Sequence, residues 1–388
     1  MINTRPKILF VGPIPPPFSG PELGLQQFLE SIELNGAFSI RFLKTNFRRN
    51  NRKKGKFGAL MILNFFKFFF KLIWLLIKER PKCVYYPITP TQIGWIGRDS
   101  WTIILSKLFG SKIIIHLRGS HFKLNYNRFH PIIKYLTAFS LKRVNMAIVQ
   151  AEYLRNQFSP FIKDQNIEVL YQAMDISEYC TDDKSKTIKG KILVIGHMTK
   201  AKGYTDILKI IPKICKQFPH AQFCFAGDMR TGERGVFYNQ LTGDKIQYED
   251  PFEAEKQILN SKYKDNYVNL GVINGDHKLM HLRTSEVFLS ASYSEGFSRS
   301  LLEAMAVGKP VAYTPVGAHR EVFKEGVHGC VFEPGNLMQI EKTLTHMLTD
   351  SDKLLEMGMR NSEYVKRKFS LEIISNDFKN IILNTLAK

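Results

Sequence analysis

The sequence is poor in cysteine. Its five, Cys83, Cys180, Cys215, Cys224 and Cys330, are scattered, odd in number and contain no Cys-x-x-Cys pair. That argues against a disulfide framework or a zinc site, and it favours a reducing compartment. No secretory leader is expected, since the chain passes almost at once into the apolar run Lys7-Ile8-Leu9-Phe10-Val11. The loop after that run is not a Gly-x-Gly-x-x-Gly fingerprint, which speaks against NAD. Helix-turn-helix, zinc-finger and aromatic-basic RNA signatures are missing too, so nucleic acid is the partner class with least support.

Acidic residues are scarce as well, 35 against 55 Lys and Arg, for a net charge of +20. Residues 1–180 hold 26 Lys/Arg against 10 Asp/Glu, so most of the excess lies in the first half. A basic N-terminal half points to an anionic membrane surface or a phosphorylated acceptor. Residues 57–77 are strongly apolar and follow a basic run of Arg48, Arg49, Arg52, Lys53, Lys54 and Lys56. Such a length could span a bilayer. Lys67 and Lys71 near its middle, however, cost roughly 2.5–3.5 kcal/mol each on insertion. Asn64, Lys67, Lys71 and Lys78 fall at helical spacing as a narrow polar stripe. The segment reads as an amphipathic helix, either packed on the first domain or resting on an anionic membrane.

What is present is regular alternation. At 388 residues, with 44% apolar and 23% charged side chains, the chain has room for two cores. Strand-length apolar runs at 8–11, 83–86, 112–117, 146–150 and 167–171 alternate with helical stretches. The pattern repeats at 191–195, 221–227, 268–273, 287–290 and 329–332. This predicts two parallel-sheet α/β domains, 1–180 and 191–368, joined by the polar stretch 181–190. A last amphipathic helix is predicted within 369–388, capped by Ser370. The first strand leads through a proline-rich loop ending at Gly20-Pro21 to a predicted helix over 22–35. Leu25, Phe28, Leu29 and Ile32 form its apolar face and Gly36 its stop.

The chemistry concentrates in Ser294-Glu295-Gly296-Phe297-Ser298-Arg299-Ser300-Leu301-Leu302-Glu303, which continues into Ala304-Met305-Ala306-Val307-Gly308-Lys309-Pro310-Val311. It reads as a glycine-containing loop, a short apolar helix and a buried strand. The backbone of a helix start suits an anion such as a pyrophosphate. Glu295 and Glu303 cannot serve that anion, since like charges repel. They could accept from hydroxyls, although a solvated loop glutamate and a helix-dipole glutamate would explain the spacing as well.

Glu-Gly-Phe, seven residues to a second Glu, then Ala-Met-Ala-Val-Gly-Lys-Pro-Val closely resembles the signature of GT-B glycosyltransferases of family 4. The likeness extends to other stretches. A Pro15-Pro16-Pro17-x-x-Gly20 loop stands where the family has its N-terminal glycine loop, with one glycine in place of two. Val169-Leu170-Tyr171-Gln172-Ala173-Met174-Asp175 resembles the passage towards the linker, with Gln172 where asparagine is commoner. Lys202-Gly203 is kept after the predicted strand 191–195, whereas His197 stands where the family has arginine, with Lys200 as a partial substitute. Arg118, between His116 and His121, stands where a histidine usually touches the donor sugar, and which of the three makes that contact stays open.

The resemblance implies two Rossmann-like parallel-sheet domains facing across a cleft, with a C-terminal helix crossing back to the first. It implies a retaining, metal-independent transferase of hexosyl or N-acetylhexosaminyl type that needs no cofactor beyond its nucleotide-sugar co-substrate. Catalytic roles fall to Glu295, Lys202, Arg118 and His121. Donor contacts fall to Gly20, His197, Lys202, Ile273, Glu295, Ser298, Arg299, Ser300, Leu301 and Glu303. Within these, Lys202 takes the pyrophosphate, the backbone from Ser298 to Leu301 cradles phosphate, Glu303 takes the ribose and Glu295 the sugar. Ile273 lies in the turn beside the base. The basic first half fits a lipid-linked acceptor at the inner face of a bacterial membrane, and hence a cytoplasmic or peripheral enzyme of cell-surface polysaccharide synthesis such as lipopolysaccharide. The rival readings are a non-catalytic sugar-binding GT-B protein, a GT-B epimerase or phosphorylase, and a glycoside hydrolase using the carboxylate pair.

Overall fold

The structure is a computed structural model that describes residues 5–16, 20–45, 59–179, 186–230 and 238–388, with the side chains of 59–62 and 351–352 outside the description. The basic run 48–56, Pro17, Cys180 and residues 181–185 of the polar stretch lie outside the described residues.

The chain forms two compact units, 1–173 with 371–388, and 174–370. In the first, β1 (Lys7–Gly12), β2 (Ser39–Lys44), β3 (Cys83–Pro87), β4 (Lys112–His116), β5 (Met146–Val149) and β6 (Ile167–Val169) make a sheet ordered β2-β1-β3-β4-β5-β6. In the second, β7 (Lys191–Ile195), β8 (Gln222–Ala226), β9 (Tyr267–Gly271), β10 (Val287–Ser290), β11 (Val311–Tyr313) and β12 (Gly329–Val331) are ordered β12-β11-β10-β7-β8-β9. Every strand pair is parallel. Parallel strands are covered by helices on both faces, which is why they read as continuous Ile, Leu, Val and Phe runs. In the second sheet β7 and β10 are neighbours whose chains leave in opposite directions. That is the switch point where an open α/β sheet gathers ligands at its carboxyl edge.

Two sequence expectations need correction. The predicted helix over 22–35 is two helices, Gly20–Glu30 and Ile32–Ala37. Ser31 breaks it: its backbone is extended and its hydroxyl accepts the Leu34 N–H at 3.3 Å, an N-cap. Ile32 consequently faces solvent at 84% exposure rather than joining Leu25 and Phe28 in the core, and Gly36 lies inside the second helix instead of stopping the first. The strand expected to run through Ile273 stops at Gly271 (φ +62°), and β2 was not singled out from the sequence at all.

The helix Leu371–Ala387 belongs to the first unit. Its Phe378 ring packs against Tyr85 at 4.8 Å and Phe28 at 4.9 Å, inside a core that includes Ile8, Phe10 and Ile148. Burying a phenylalanine of this kind contributes about 1.5–3 kcal/mol. In the second unit Met174 donates its N–H to Phe369 (2.9 Å), which ties residues ahead of the polar stretch to the second core.

The amphipathic segment is the helix Ala59–Glu79. Phe68, Leu72, Leu75 and Leu76 are buried, whereas Leu63, Phe66, Lys67, Phe70, Lys71, Trp74, Ile77 and Lys78 are exposed. Among the described residues no helix is long and apolar enough to cross a membrane.

Candidate functional site

The loop after β7 folds as a single 3-10 turn, Lys200–Lys202, closed by Gly203 at φ +72°. A side chain at 203 would meet the Ala291 carbonyl oxygen at 2.3 Å, so glycine is what lets this loop press onto the exit of β10. The Tyr293 N–H, donating to the Ala201 carbonyl at 3.0 Å, completes that docking. The two loops at the switch point are thereby fixed side by side.

Their side chains meet in one ion pair. Lys202 Nζ donates to Glu295 Oε1 at 2.5 Å, and the Ser292 hydroxyl donates to the same oxygen at 2.8 Å. Burial raises the Glu295 carboxyl, but the Lys202 ammonium and these hydrogen bonds outweigh it and hold the group ionised below its ordinary range. The backbone of this loop is clamped from elsewhere. The Gln240 side chain accepts from the amides of Glu295 (3.2 Å) and Gly317 (3.0 Å) and donates to the Glu295 carbonyl (3.3 Å).

The helix Arg299–Ala306 starts at Ser298, whose hydroxyl accepts from the Leu301 amide at 3.4 Å. The Ser298 amide itself donates to His319 Nε2 at 3.3 Å, and His319 Nδ1 bonds the Thr314 carbonyl at 3.2 Å. His319 is completely buried, and burial pushes it down to about 4, so it is neutral and can accept that bond. The expected phosphate cradle from Ser298 to Leu301 is therefore narrower than the sequence implies, because two of its four amides are committed to protein partners. Ser300 Oγ donates to the Ile195 carbonyl at 3.2 Å, which sets the helix start against the end of β7.

Glu303 is 2% exposed and accepts at Oε1 from Tyr179 (3.1 Å), Lys278 (2.8 Å) and Arg299 (3.1 Å). Burial raises its carboxyl, yet the two cations prevail and keep it ionised. An ionised carboxylate has about four lone-pair sites, so acceptor capacity remains for a ligand hydroxyl.

Of the remaining candidates, Lys200 is paired with two carboxylates where Lys202 is paired with one. The Lys200 ammonium is held by Asp206 at 2.5 Å and Glu249 at 3.0 Å, which fastens this loop to the helix Tyr204–Gln217. His197 is turned onto Asp228, Nδ1 to Oδ1 at 2.6 Å. Ile273 lies half-buried in the turn after β9, whose strand is separated from β7 by β8.

In the first unit, Gly20 opens the helix Gly20–Glu30, and among the described residues nothing lies within 4 Å of where its side chain would be. His116 is a core residue. It is 1% exposed, its Nδ1 bonds Tyr85 Oη at 2.7 Å, and burial followed by the nearby Arg118 charge holds it well below the ordinary histidine range. His121 is pushed down to about 4 by burial. The Arg118 guanidinium lies 5.5 Å from the centre of the Phe28 ring and fills the space beside Gly24, where a Cβ would collide with it at 1.9 Å. Gly24 is a helix-interior glycine, costly by about 1 kcal/mol, and this arginine is what it makes room for.

Residues 175–364 match the sequence model of the glycosyl transferases group 1. An uncharacterized glycosyltransferase of Methanocaldococcus jannaschii is 20% identical over 96% of this chain and 97% of its own. The protein is a glycosyltransferase. Its two six-stranded parallel units are those of the GT-B fold: HepE of Anabaena, solved in complex with UDP, superposes with a TM-score of 0.72 at 15% identity, over 97% of this chain and 100% of that one. An N-acetylgalactosamine-N,N'-diacetylbacillosaminyl-diphospho-undecaprenol 4-alpha-N-acetylgalactosaminyltransferase of Campylobacter jejuni is 23% identical over 81% of this glycosyltransferase and 82% of its own length. Sequence reasoning had passed over Tyr179, Gln240, Lys278 and His319. Each is a single polar letter in an unremarkable stretch, and only the fold shows what it touches.

Proposed function

We propose that this is a retaining, metal-independent transferase of family 4. It moves a hexosyl or N-acetylhexosaminyl group from a nucleotide-diphosphate sugar to a lipid-linked glycan acceptor in bacterial cell-surface polysaccharide synthesis. The observation that carries the donor reading is the Lys202–Glu295 pair at the β7/β10 switch point, set against the start of the helix Arg299–Ala306. In the reaction the bond from the anomeric carbon to the diphosphate breaks and the acceptor oxygen bonds to that carbon on the same face. The acceptor's proton passes to the departing phosphate. Charge developing on the diphosphate is stabilised by Lys202 and the helix start, where preorganised donors are worth most. Glu295 accepts from sugar hydroxyls and Glu303 from the ribose. Gly20, Arg118 and His121 are assigned to the sugar and acceptor. Binding of UDP and UDP-glucose by the HepE structures supports a nucleotide-sugar donor.

The acceptor reading rests on the helix Ala59–Glu79, whose exposed side interleaves Phe66, Phe70, Trp74 and Ile77 with Lys67, Lys71 and Lys78. Phe65, Phe66, Phe69, Ile96, Gly97 and Trp101 line an apolar groove of about 410 Å³ beside it. Aromatic and cationic side chains on one face suit the interface of an anionic bilayer, which fits a cytoplasmic enzyme held peripherally at the inner face. The lipid-linked acceptor named for the Campylobacter relative supports the same reading.

The donor site is tested by thermal stabilisation with UDP, GDP, TDP, their sugars and NAD(P). One diphosphate class should raise the melting temperature, and the shift should vanish in Lys202→Ala and Glu303→Ala. A folded protein that responds to no nucleotide would sink this reading in favour of a sugar-binding scaffold.

A further inference from the structure

Two loops leave adjacent strands of the second sheet and run against each other, one after β7 from Gly196 and one after β8 from Gly227. Gly227 has φ +154°, and a Cβ there would lie 1.9 Å from the Gly196 carbonyl oxygen, so the backbones touch and only glycine fits. Past that contact the loops stay paired. The Gly196 N–H donates to the Ala226 carbonyl at 2.9 Å, the Met198 N–H donates to the Asp228 carbonyl at 3.1 Å, and Met198 and Met229 form a parallel bridge. The β7/β8 ladder thus continues beyond the strand ends and holds 228–230 in register with 197–199.

That register puts three charged or titratable side chains together. Asp228 holds His197 Nδ1 through Oδ1 at 2.6 Å and receives Arg230 Nε at Oδ2 at 3.2 Å. Burial lowers His197, and the Arg230 and Lys202 charges lower it further, against the opposing pull of Asp228. A neutral His197 whose Nδ1–H is given to Asp228 has no positive charge to offer an anion. Arg230 does: a guanidinium is always ionised, and Asp228 takes one of its five N–H donors. Its side chain is 22% exposed, so it is held in place yet reachable. Because Ser300 Oγ ties the start of the helix Arg299–Ala306 to the Ile195 carbonyl, three anion-seeking features converge on the end of β7. These are that helix start, Lys202 and Arg230.

We propose that Arg230, presented from the loop after β8, is the second cation of the donor-diphosphate site beside Lys202. His197 is then a positioning residue that fixes Asp228, and through it Arg230, and is not itself a phosphate ligand. The arginine function absent from position 197 has moved to the neighbouring strand's loop. Glu295 and Asp228 balance the two cations when no donor is bound, and the diphosphate takes over that balance when it arrives. This inference rests on the donor reading above and adds a residue to it.

Calorimetric titration of the purified full chain with UDP, GDP and TDP, and with the matching nucleosides, tests it. For whichever diphosphate the wild type binds, Arg230→Ala should weaken affinity about 10–100-fold, the loss of a charge-assisted contact. Nucleoside binding should stay unchanged, and the salt dependence of diphosphate binding should become shallower. Arg230→Lys, which keeps the charge without the fork, should fall between. The double variant His197→Arg/Arg230→Ala should recover to within about threefold of wild type, since it returns a guanidinium to the same ladder position. Arg230→Ala binding the diphosphate as well as wild type would overturn the proposal, as would a folded double variant no better than the single one. A wild type that binds none of the diphosphates would instead overturn the donor reading itself, before any variant is compared.

Discussion

The two units share an architecture of six parallel strands, yet the carboxyl ends of their sheets are electrically unlike. In the second unit cations near those ends are matched to carboxylates: Lys202 to Glu295, Lys278 and Arg299 to Glu303, Arg230 to Asp228. In the first, one cation past β3 is matched as well, Arg98 to the buried Asp99 at 3.3 Å, but Arg118, flanked in sequence by the neutral His116 and His121, has a buried Nε with no hydrogen-bond partner among the described residues. The exposed lysines of the helix Ala59–Glu79 add further positive charge, interleaved with aromatics. The difference teaches how each unit meets its partner. Matched charges give a preorganised pocket whose carboxylates keep their ionisation, suited to one small ligand. The exposed lysines and aromatics of the helix Ala59–Glu79 suit instead a broad anionic surface.

The largest test of this contrast is Lys202→Ala. It should lower kcat by about 10²–10³-fold, the effect of removing one preorganised donor to developing charge. A steady-state assay with the identified donor measures this, and a loss below tenfold would mean that the matched pair is structural. Next in size is acid sensitivity of the second unit. His319 has its ordinary value of 6.5 when unfolded and about 4 when folded, so the unfolded chain binds the proton more readily between them. Stability from this residue is therefore complete above pH 6.5, falls as pH drops through the window from 6.5 to about 4, and changes no further below it. The full effect is about 3 kcal/mol at 1.36 kcal/mol per unit. Urea melts between pH 7 and 4 should show the loss, and His319→Gln should flatten it; an unchanged profile in that variant assigns the sensitivity elsewhere. Smallest is the membrane effect. Phe70→Ser with Trp74→Ser should weaken sedimentation with phosphatidylglycerol vesicles by about tenfold and leave nucleotide binding untouched. A wild type that ignores such vesicles would remove the surface from the first unit's description.

Much of the fold could be read from the letters. The alternation of apolar runs announced parallel sheets because buried parallel strands must be apolar on both faces. The exceptions were instructive. Ser31 looks like one polar residue in a helical pattern, and its role as a cap depends on the chain turning there. The strand β2, Ser-Ile-Arg-Phe-Leu-Lys, carries two charges and lies at the edge of its sheet, where burial imposes less on composition. In the candidate site, Lys202, Glu295 and Glu303 stood out because they belong to compact local patterns. Arg230 and Gln240 fell in a stretch that reads as irregular, and Tyr179 lay beside the polar stretch read as a linker.

By itself the sequence determined the elements, the loop-to-helix turn at Ser298 and the carboxylates around it, since these follow from periodicity and capping within a few residues. Only the tertiary structure decided which charge meets which. Lys202 reaches Glu295 across 93 positions, and Tyr179 reaches Glu303 across 124. Arg230 comes beside His197 through the paired loops of β7 and β8. Partners so distant in the chain are set by strand order and register, and an ion pair leaves no periodic mark in the sequence around either of its members.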